Sequence, residues 1–166
     1  MADKKAQYVG IDLGTSTSAL AYVRSDGQPE IVPNADGERL TPSVVFFDQF
    51  EGVKLVGSAA KDGGDPERTV QFIKKKMDDP AYVVEIDGQV WTPTEISAMI
   101  LSKLKNDCTT LIGEIDEVVV TVPANFNELA RNATVTAGRM AGLNVTRIVN
   151  EPTAAALYYA HTQKVD

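Results

Sequence analysis

The chain of 166 residues reads as an α/β protein with a mixed sheet, and three features carry that reading. Its start is a series of short apolar runs joined by tight turns, one of them Asp-Gly, the pattern of antiparallel strands. Residues 117–122, EVVVTV, form a continuous apolar run, as expected for a strand covered on both faces. From there strand, helix, strand and helix alternate in short order, which implies parallel strands with a right-handed crossover.

In chain order, residues 8–12 and 19–23 read as strands joined by the turn DLGTSTS. The turn Ser25-Asp26-Gly27 leads to a third strand at 29–32 and completes an antiparallel meander. Residues 33–41 are polar and turn-rich, 43–48 and 53–56 are strands, and Gly63-Gly64-Asp65-Pro66 is a loop. The spacing of Val70, Ile73 and Met77 predicts a helix over 67–77. Residues 82–86 and 89–91 form a hairpin about Asp87-Gly88. The clearest helix follows. Thr92 supplies a hydroxyl cap, Pro93 the first helical position and Glu95 the third. Ile96, Met99, Ile100, Leu104, Cys108, Leu111 and Ile112 then recur at helical spacing, and Gly113 ends it. A helix at 127–141, capped by Asn127 and closed by Gly142, separates strands at 117–122 and 145–150. A last helix spans 152–161.

Composition narrows the function classes. The 43% hydrophobic and 23% charged content is ordinary for a globular chain of one mid-sized or two small domains. A net charge of −7 argues against sequence-independent nucleic-acid binding, which needs a basic surface. A single cysteine, Cys108, excludes an intramolecular disulfide and fits a reducing, cytoplasmic compartment. No apolar signal core precedes the first strand, and no run approaches the roughly 18 apolar residues of a membrane span. The glycosylation-type triplets at Asn132 and Asn144 carry no meaning in such a compartment.

Candidate chemistry sits at strand ends, where open sheets with parallel strands hold their ligands. Pro123 to Phe126 and Asn150-Glu151-Pro152 occupy two such ends. Glu151 either orients a water or a hydrated metal ion, or is a helix N-terminal acid favoured by the dipole. The opening turn is either an ordinary hydroxyl-rich turn or a concave anion site. In the second reading Gly14 admits a phosphate close to the backbone. Thr15, Ser16 and Thr17 add hydroxyl donors, and Asp12 holds Mg²⁺ directly or through water. GVKLVGSA, at Gly52, has the glycine spacing of a P-loop but carries Ser58 where the lysine belongs. Lys74, Lys75 and Lys76 would point about 100° apart on a helix, so at most one enters a cleft. Cys108 falls on the apolar stripe of the long helix and reads as a small core residue. One cysteine and one histidine, His161, give little basis for a zinc site or a Cys/His catalytic pair.

GIDLGTSTS at Gly10, TPSVV at Thr41, TVPANFNELAR at Thr121 and RIVNEPTAAA at Arg147 occur in this order and at compatible distances. Together they resemble the ATPase domain of the DnaK-type heat-shock chaperones, the seventy-kilodalton family, over essentially the whole chain. Asp-Leu-Gly-Thr alone fits the wider actin, sugar-kinase and chaperone superfamily. Asn-Glu-Pro-Thr-Ala-Ala-Ala is far more specific and argues against a filament protein or a sugar kinase.

The resemblance implies an actin-like, ribonuclease H-like lobe. Residues 1–39 and 115–166 would build its inner subdomain, and 40–114 a smaller inserted outer subdomain, with meander and parallel unit as halves of one sheet. ATP or ADP with Mg²⁺ would be the ligand. Asp12 resembles the Mg²⁺-associated acid, Thr15 and Ser16 the phosphate-contacting hydroxyls, and Lys74 the lysine that reaches the γ-phosphate. Glu151 matches the acid that positions the metal's water and the attacking water. Pro123 and Arg131 match a proline switch and its surface partner, and Arg147 and Asn150 lie where the family meets J-domain co-chaperones. Nucleotide exchange factors and unfolded polypeptides would be further partners of the whole protein. Hydrolysis of a γ-phosphate needs charge neutralisation and an in-line water more than covalent catalysis, which suits these residue types.

Several positions depart from the family pattern. Ser16 replaces a usual Thr, Thr17 a common Tyr or Asn, Asn125 a frequent Tyr, and Lys75 a usual Arg, a swap that matters where bidentate contacts are needed. The short segment 77–82 resembles the compact Gram-positive type. Asp166 falls just before the place of the family's second, glycine-rich phosphate loop. The expectation is therefore one lobe of two, with half of an ATP·Mg²⁺ site, weak or undetectable nucleotide affinity and no useful turnover alone. The alternative is a non-enzymatic module that binds a co-chaperone through the face of Arg147 and Asn150. Surfaces meant for a second lobe would favour self-association through an apolar patch, which a monomer in size-exclusion chromatography at high concentration would refute.

Overall fold

Val9, Ile11, Val118 and Val120 are all but removed from solvent, which puts the centre of the molecule where the first strand meets the continuous apolar run. The computed structural model describes residues 7–50 and 52–163. The ends of the expected inner subdomain, residues 1–6 and 164–166, lie outside the described residues. In chain order the elements are β1 (Gln7–Asp12), β2 (Thr17–Val23), β3 (Pro29–Val32), β4 (Thr41–Pro42), β5 (Val44–Phe47), β6 (Lys54–Val56), α1 (Ser58–Lys61) and β7 (Thr69–Gln71). They continue with β8 (Val84–Ile86), β9 (Gln89–Trp91), α2 (Pro93–Ile112), β10 (Ile115–Val122), α3 (Glu128–Met140), β11 (Val145–Asn150) and α4 (Glu151–Thr162).

The main sheet runs β11–β10–β1–β2–β3, with β4 paired to β2. β1 is antiparallel to β2 and parallel to β10, and β10 is parallel to β11. The meander and the parallel unit thus share one mixed sheet, as the sequence predicts. The helix starts follow their caps. Thr92 Oγ1 accepts from the Glu95 N–H while Glu95 Oε2 accepts from the Thr92 N–H, and Pro93 opens α2. Asn127 Oδ1 accepts from the Ala130 N–H at the start of α3. Ile96, Ile100, Leu101, Leu104 and Cys108 of α2 are buried in a core shared with the main sheet and with Val45, Phe47, Val70 and Ile73. Each large side chain so buried contributes about 1.5–3 kcal/mol. α3 approaches β11 so closely at Gly138 that a Cβ there would stand 2.3 Å from Val145 Cγ2.

Two expectations are corrected. β10 is not covered on both faces: Val118, Val120 and Val122 are buried, but Glu117, Val119 and Thr121 are only half-buried. α4 lies over the second face, none of its described residues is buried, and an apolar hollow of about 730 Å³ remains beside it. The helix predicted over 67–77 is instead the strand β7 between two 3-10 turns, Pro66–Arg68 and Ile73–Lys76. Pairing of β7 with β5, Val45 opposite Val70, overrides a spacing that suits either structure once the side chains find a sheet edge. Val70, Ile73 and Met77 are buried nonetheless. GVKLVGSA folds as β6, Gly57 at φ 86° and the short α1; β6 is antiparallel to β5, which is not the setting of a P-loop. Among the described residues no helix is long and apolar enough to cross a membrane.

Arg68 joins the small strands. Its Nε donates to the Phe47 carbonyl at 2.7 Å, and its two terminal nitrogens grip both oxygens of Asp87 in the β8–β9 turn. Asp87 has φ 54°, a left-handed conformation that Asp tolerates better than most residues. The hydrogen bonds from Arg68 hold the Asp87 carboxyl below its ordinary value, against a smaller opposing effect of desolvation. A carboxyl held low in the folded state contributes stability that is present above its unfolded pKa and lost as pH falls through the folded one.

Thermal unfolding of Asp87→Asn should therefore show a lower Tm than the parent at neutral pH. The gap should narrow as pH falls below ordinary carboxylate values, and a gap constant from pH 7 to pH 2 would contradict the clamp. Burial pushes the Cys108 thiol up to about 12, with Asp107 adding to it. Iodoacetamide at pH 8 should accordingly leave Cys108 unmodified in the folded chain and alkylate it in denaturant, as mass spectrometry would read.

Candidate functional site

Strands β1 and β10 end side by side, with Asp12 in register with Thr121. The Thr121 hydroxyl donates to Asp12 Oδ1 at 3.0 Å, which orients an otherwise exposed carboxylate at the sheet edge. The chain then turns back at once. Leu13 is buried and anchors the turn. A Cβ on Gly14 would stand 1.9 Å from the Thr17 carbonyl oxygen, so no other residue fits this backbone. The Gly14 N–H donates to Ser18 Oγ at 3.2 Å, Ser18 Oγ and Ser43 Oγ share a hydrogen bond of 2.8 Å, and the Ser43 N–H donates to the Ser16 carbonyl at 2.9 Å. These bonds staple the turn to the β4–β5 corner. Thr15 is left half-buried and Ser16 and Thr17 exposed.

Lys74 enters from the opposite side. It is 7% exposed, and its ammonium is paired with Glu151 Oε1 and sits 5.9 Å from the centre of the Phe126 ring. Lys75 and Lys76 remain exposed, so one lysine of the three is buried, as expected, although a 3-10 turn and not an α-helix presents it. Glu151 opens α4 directly after β11, with Pro152 behind it. The two partners are 77 residues apart in sequence. Thr15, Lys74, Lys75, Asp78, Pro123, Asn125 and Phe126 line one hollow of about 290 Å³. The turn after β1, the lysine and the Pro123 loop therefore face one space.

Arg131 ties that space to the sheet end. Its Nε donates to the Phe126 carbonyl at 3.1 Å and its terminal nitrogen donates to Asn150 Oδ1 at 2.7 Å. The Phe126 N–H in turn donates to the Pro123 carbonyl at 3.1 Å. Pro123, Arg131 and Asn150 are thus mechanically connected. Arg147 is not part of this group. It pairs opposite Val119, and with an odd separation from Asn150 on a regular strand it points to the other face of the sheet. Arg147 and Asn150 thus point to opposite faces of β11, which is an edge strand of the sheet.

The donor set fits a phosphate more readily than a protein-caged metal. Among the described residues no cluster of three or more His, Cys, Asp or Glu is placed to hold a metal ion. Asp12 is a lone oriented carboxylate, which suits Mg²⁺, an ion that keeps several waters and leans on phosphate oxygens. Four participants carried no assigned role in the sequence reading: Ser18, Ser43, Thr121 and Phe126. Ser18 and Ser43 left a usable trace, since buried serines at a strand start need a partner. Thr121 and Phe126 left none, because their contacts depend on sheet register and on a turn.

A family model described as Hsp70 protein matches residues 8–79 and 65–165. The chain is 54% identical over 162 residues to proteins named Chaperone protein DnaK from Thermotoga petrophila and Thermotoga maritima, and 53% identical to that of Thermotoga neapolitana. Each alignment covers 96% of this chain and 27% of the relative, so the chain spans about a quarter of the length of the curated relatives it matches.

Gly14→Ala should destabilise the chain by about 1–3 kcal/mol, the usual result of forcing an extra methyl group into closed packing. Urea titration monitored by circular dichroism measures this, and an unchanged midpoint would mean that the turn can open without loss.

Proposed function

The chain belongs to the Hsp70 protein family, and we propose from that premise that it is the first lobe of a chaperone ATPase domain with an actin-like, ribonuclease H-like fold. The hollow shared by Thr15, Lys74 and Pro123, with Lys74 held against Glu151, is the observation that carries this reading. Residues 1–39 and 115–166 form its inner subdomain and 40–114 the inserted outer one. The whole protein binds ATP or ADP with Mg²⁺ and couples hydrolysis to the binding and release of unfolded polypeptides, in the cytoplasm, with a J-domain co-chaperone and a nucleotide exchange factor.

Each residue has a role in this reading. Gly14 lets phosphate oxygens approach the backbone of the turn, and the hydroxyls of Thr15, Ser16 and Thr17 add donors around them. Asp12 would hold Mg²⁺, directly or through water, and the ion would neutralise phosphate charge when bound. Lys74 is paired with Glu151, and an arriving γ-phosphate competes for the same ammonium. Once Lys74 turns to the phosphate, Glu151 has a free carboxylate oxygen to accept a hydrogen bond from the attacking water. Pro123 and Phe126 border the hollow, and Arg131 passes their position to Asn150 at the sheet end. That linkage supports Pro123 and Arg131 as the relay of nucleotide state. Arg147, exposed on the other face, remains available to a co-chaperone.

Isothermal titration of MgATP into this chain should show binding weaker than micromolar, because the donors here reach the phosphates from one side only; micromolar affinity would overturn the half-site reading. In a chain extended to the length of its relatives, Lys74→Ala and Glu151→Gln should each lower ATP hydrolysis by about 10²–10³-fold, the usual effect of removing one preorganised charge partner. A loss under threefold in both would sink the assigned roles.

A further inference from the structure

Two described residues other than glycine have a left-handed backbone, Phe72 and Asp87. Asp adopts that conformation with little difficulty, whereas for a bulky aromatic it is a genuine outlier. Phe72 has φ 58° and ψ 23°, and the residue is 48% exposed beside the turn after β1, where it borders a notch with Thr15, Ser16 and Thr17. Nothing in the burial of the ring accounts for the cost of its backbone.

The consequence lies one and two residues further on. In β7 the side chains alternate, with Val70 buried and Gln71 exposed. Continued alternation would bury Phe72, expose Ile73 and send Lys74 to the same core face as Val70, instead of leaving the core position to Ile73 and the site to Lys74. The left-handed residue interrupts this period. Phe72 turns out to solvent, and the next two side chains are both buried: Ile73 at 4% in the core and Lys74 at 7% in the site. The 3-10 turn that follows is closed by the Lys75 N–H donating to the Phe72 carbonyl at 3.1 Å. The Lys75 ammonium, 5.5 Å from the centre of the Phe72 ring, stays on the solvent side.

We propose that Phe72 is a positioning residue whose left-handed backbone aims Lys74 at Glu151 and into the hollow. The proposal deepens the reading of Lys74 as the phosphate-facing lysine and rests on it for its functional meaning. The work is done by the backbone and not by the ring. Gly, which adopts this conformation freely, and Asn, which tolerates it, should therefore substitute, while a β-branched residue should not.

Competitive acylation of lysines in the folded chain by an N-hydroxysuccinimide ester, read peptide by peptide by mass spectrometry, tests this without nucleotide. In the parent, Lys74 should react far more slowly than Lys75 and Lys76. Phe72→Gly and Phe72→Asn should keep that protection or increase it. Phe72→Val should raise the Lys74 rate by about tenfold or more relative to Lys75, the scale set by a left-handed penalty of this kind. Unchanged protection in Phe72→Val, or exposure of Lys74 in Phe72→Gly, overturns the proposal. Should Phe72→Val fail to fold by circular dichroism, Phe72→Gly decides alone. The MgATP titration tests the nucleotide reading separately, so the two failures are distinguishable.

Discussion

The parallel register between β1 and β10 is the constraint on which the remainder of the structure rests. It sets Asp12 beside Thr121, so that the turn after β1 and the Pro123 loop after β10 leave the sheet at the same edge. β11 extends the same edge by one strand and delivers Asn150 and Glu151. A one-residue slip would exchange the faces of Val118, Val120 and Val122 with those of Val119 and Thr121 and bury the wrong set. Hydrophobic burial of the valines therefore fixes where Asp12, Thr121, Asn150 and Glu151 leave the sheet.

A second level of control comes from short polar links across large sequence distances. Ser18 and Ser43 tie the phosphate-type turn to the β4–β5 corner, and Arg131 ties the Pro123 loop to Asn150. Both sets are at least partly shielded from water, where an unmade hydrogen bond costs about 1–3 kcal/mol, so each holds its loop in one arrangement. The ion pair of Lys74 and Glu151 differs in kind. One partner is buried and the other has a side chain 39% exposed, so the pair is open to water on the Glu151 side. The hydrogen-bonded links hold the loops, and the ion pair is the contact left partly open to water.

Much of the architecture was legible along the chain because it follows from local rules. The Thr92-Pro93-Glu95 cap, the Asn127 cap, the Asp87-Gly88 turn and the strand of valines each carry their own physical signal, and each appears where expected. The errors share a cause. Residues 67–77 contain apolar positions that satisfy a helix, yet pairing with β5 turned three of them into a strand. The second face of β10 looked buried because an apolar run does not say whether anything covers it.

The sequence by itself determined most element types, the caps, the core valines and, through four ordered motifs, the family, because residue chemistry and short-range spacing suffice for these. Tertiary structure alone decided that Lys74 meets Glu151 across 77 residues, that Ser43 braces the turn at Gly14, that Arg131 reaches Asn150, and that Phe72 bends left-handed to send two neighbours inward. The reason is physical. Contacts between distant segments are set by sheet register and packing geometry, and these exist only once the strands have paired.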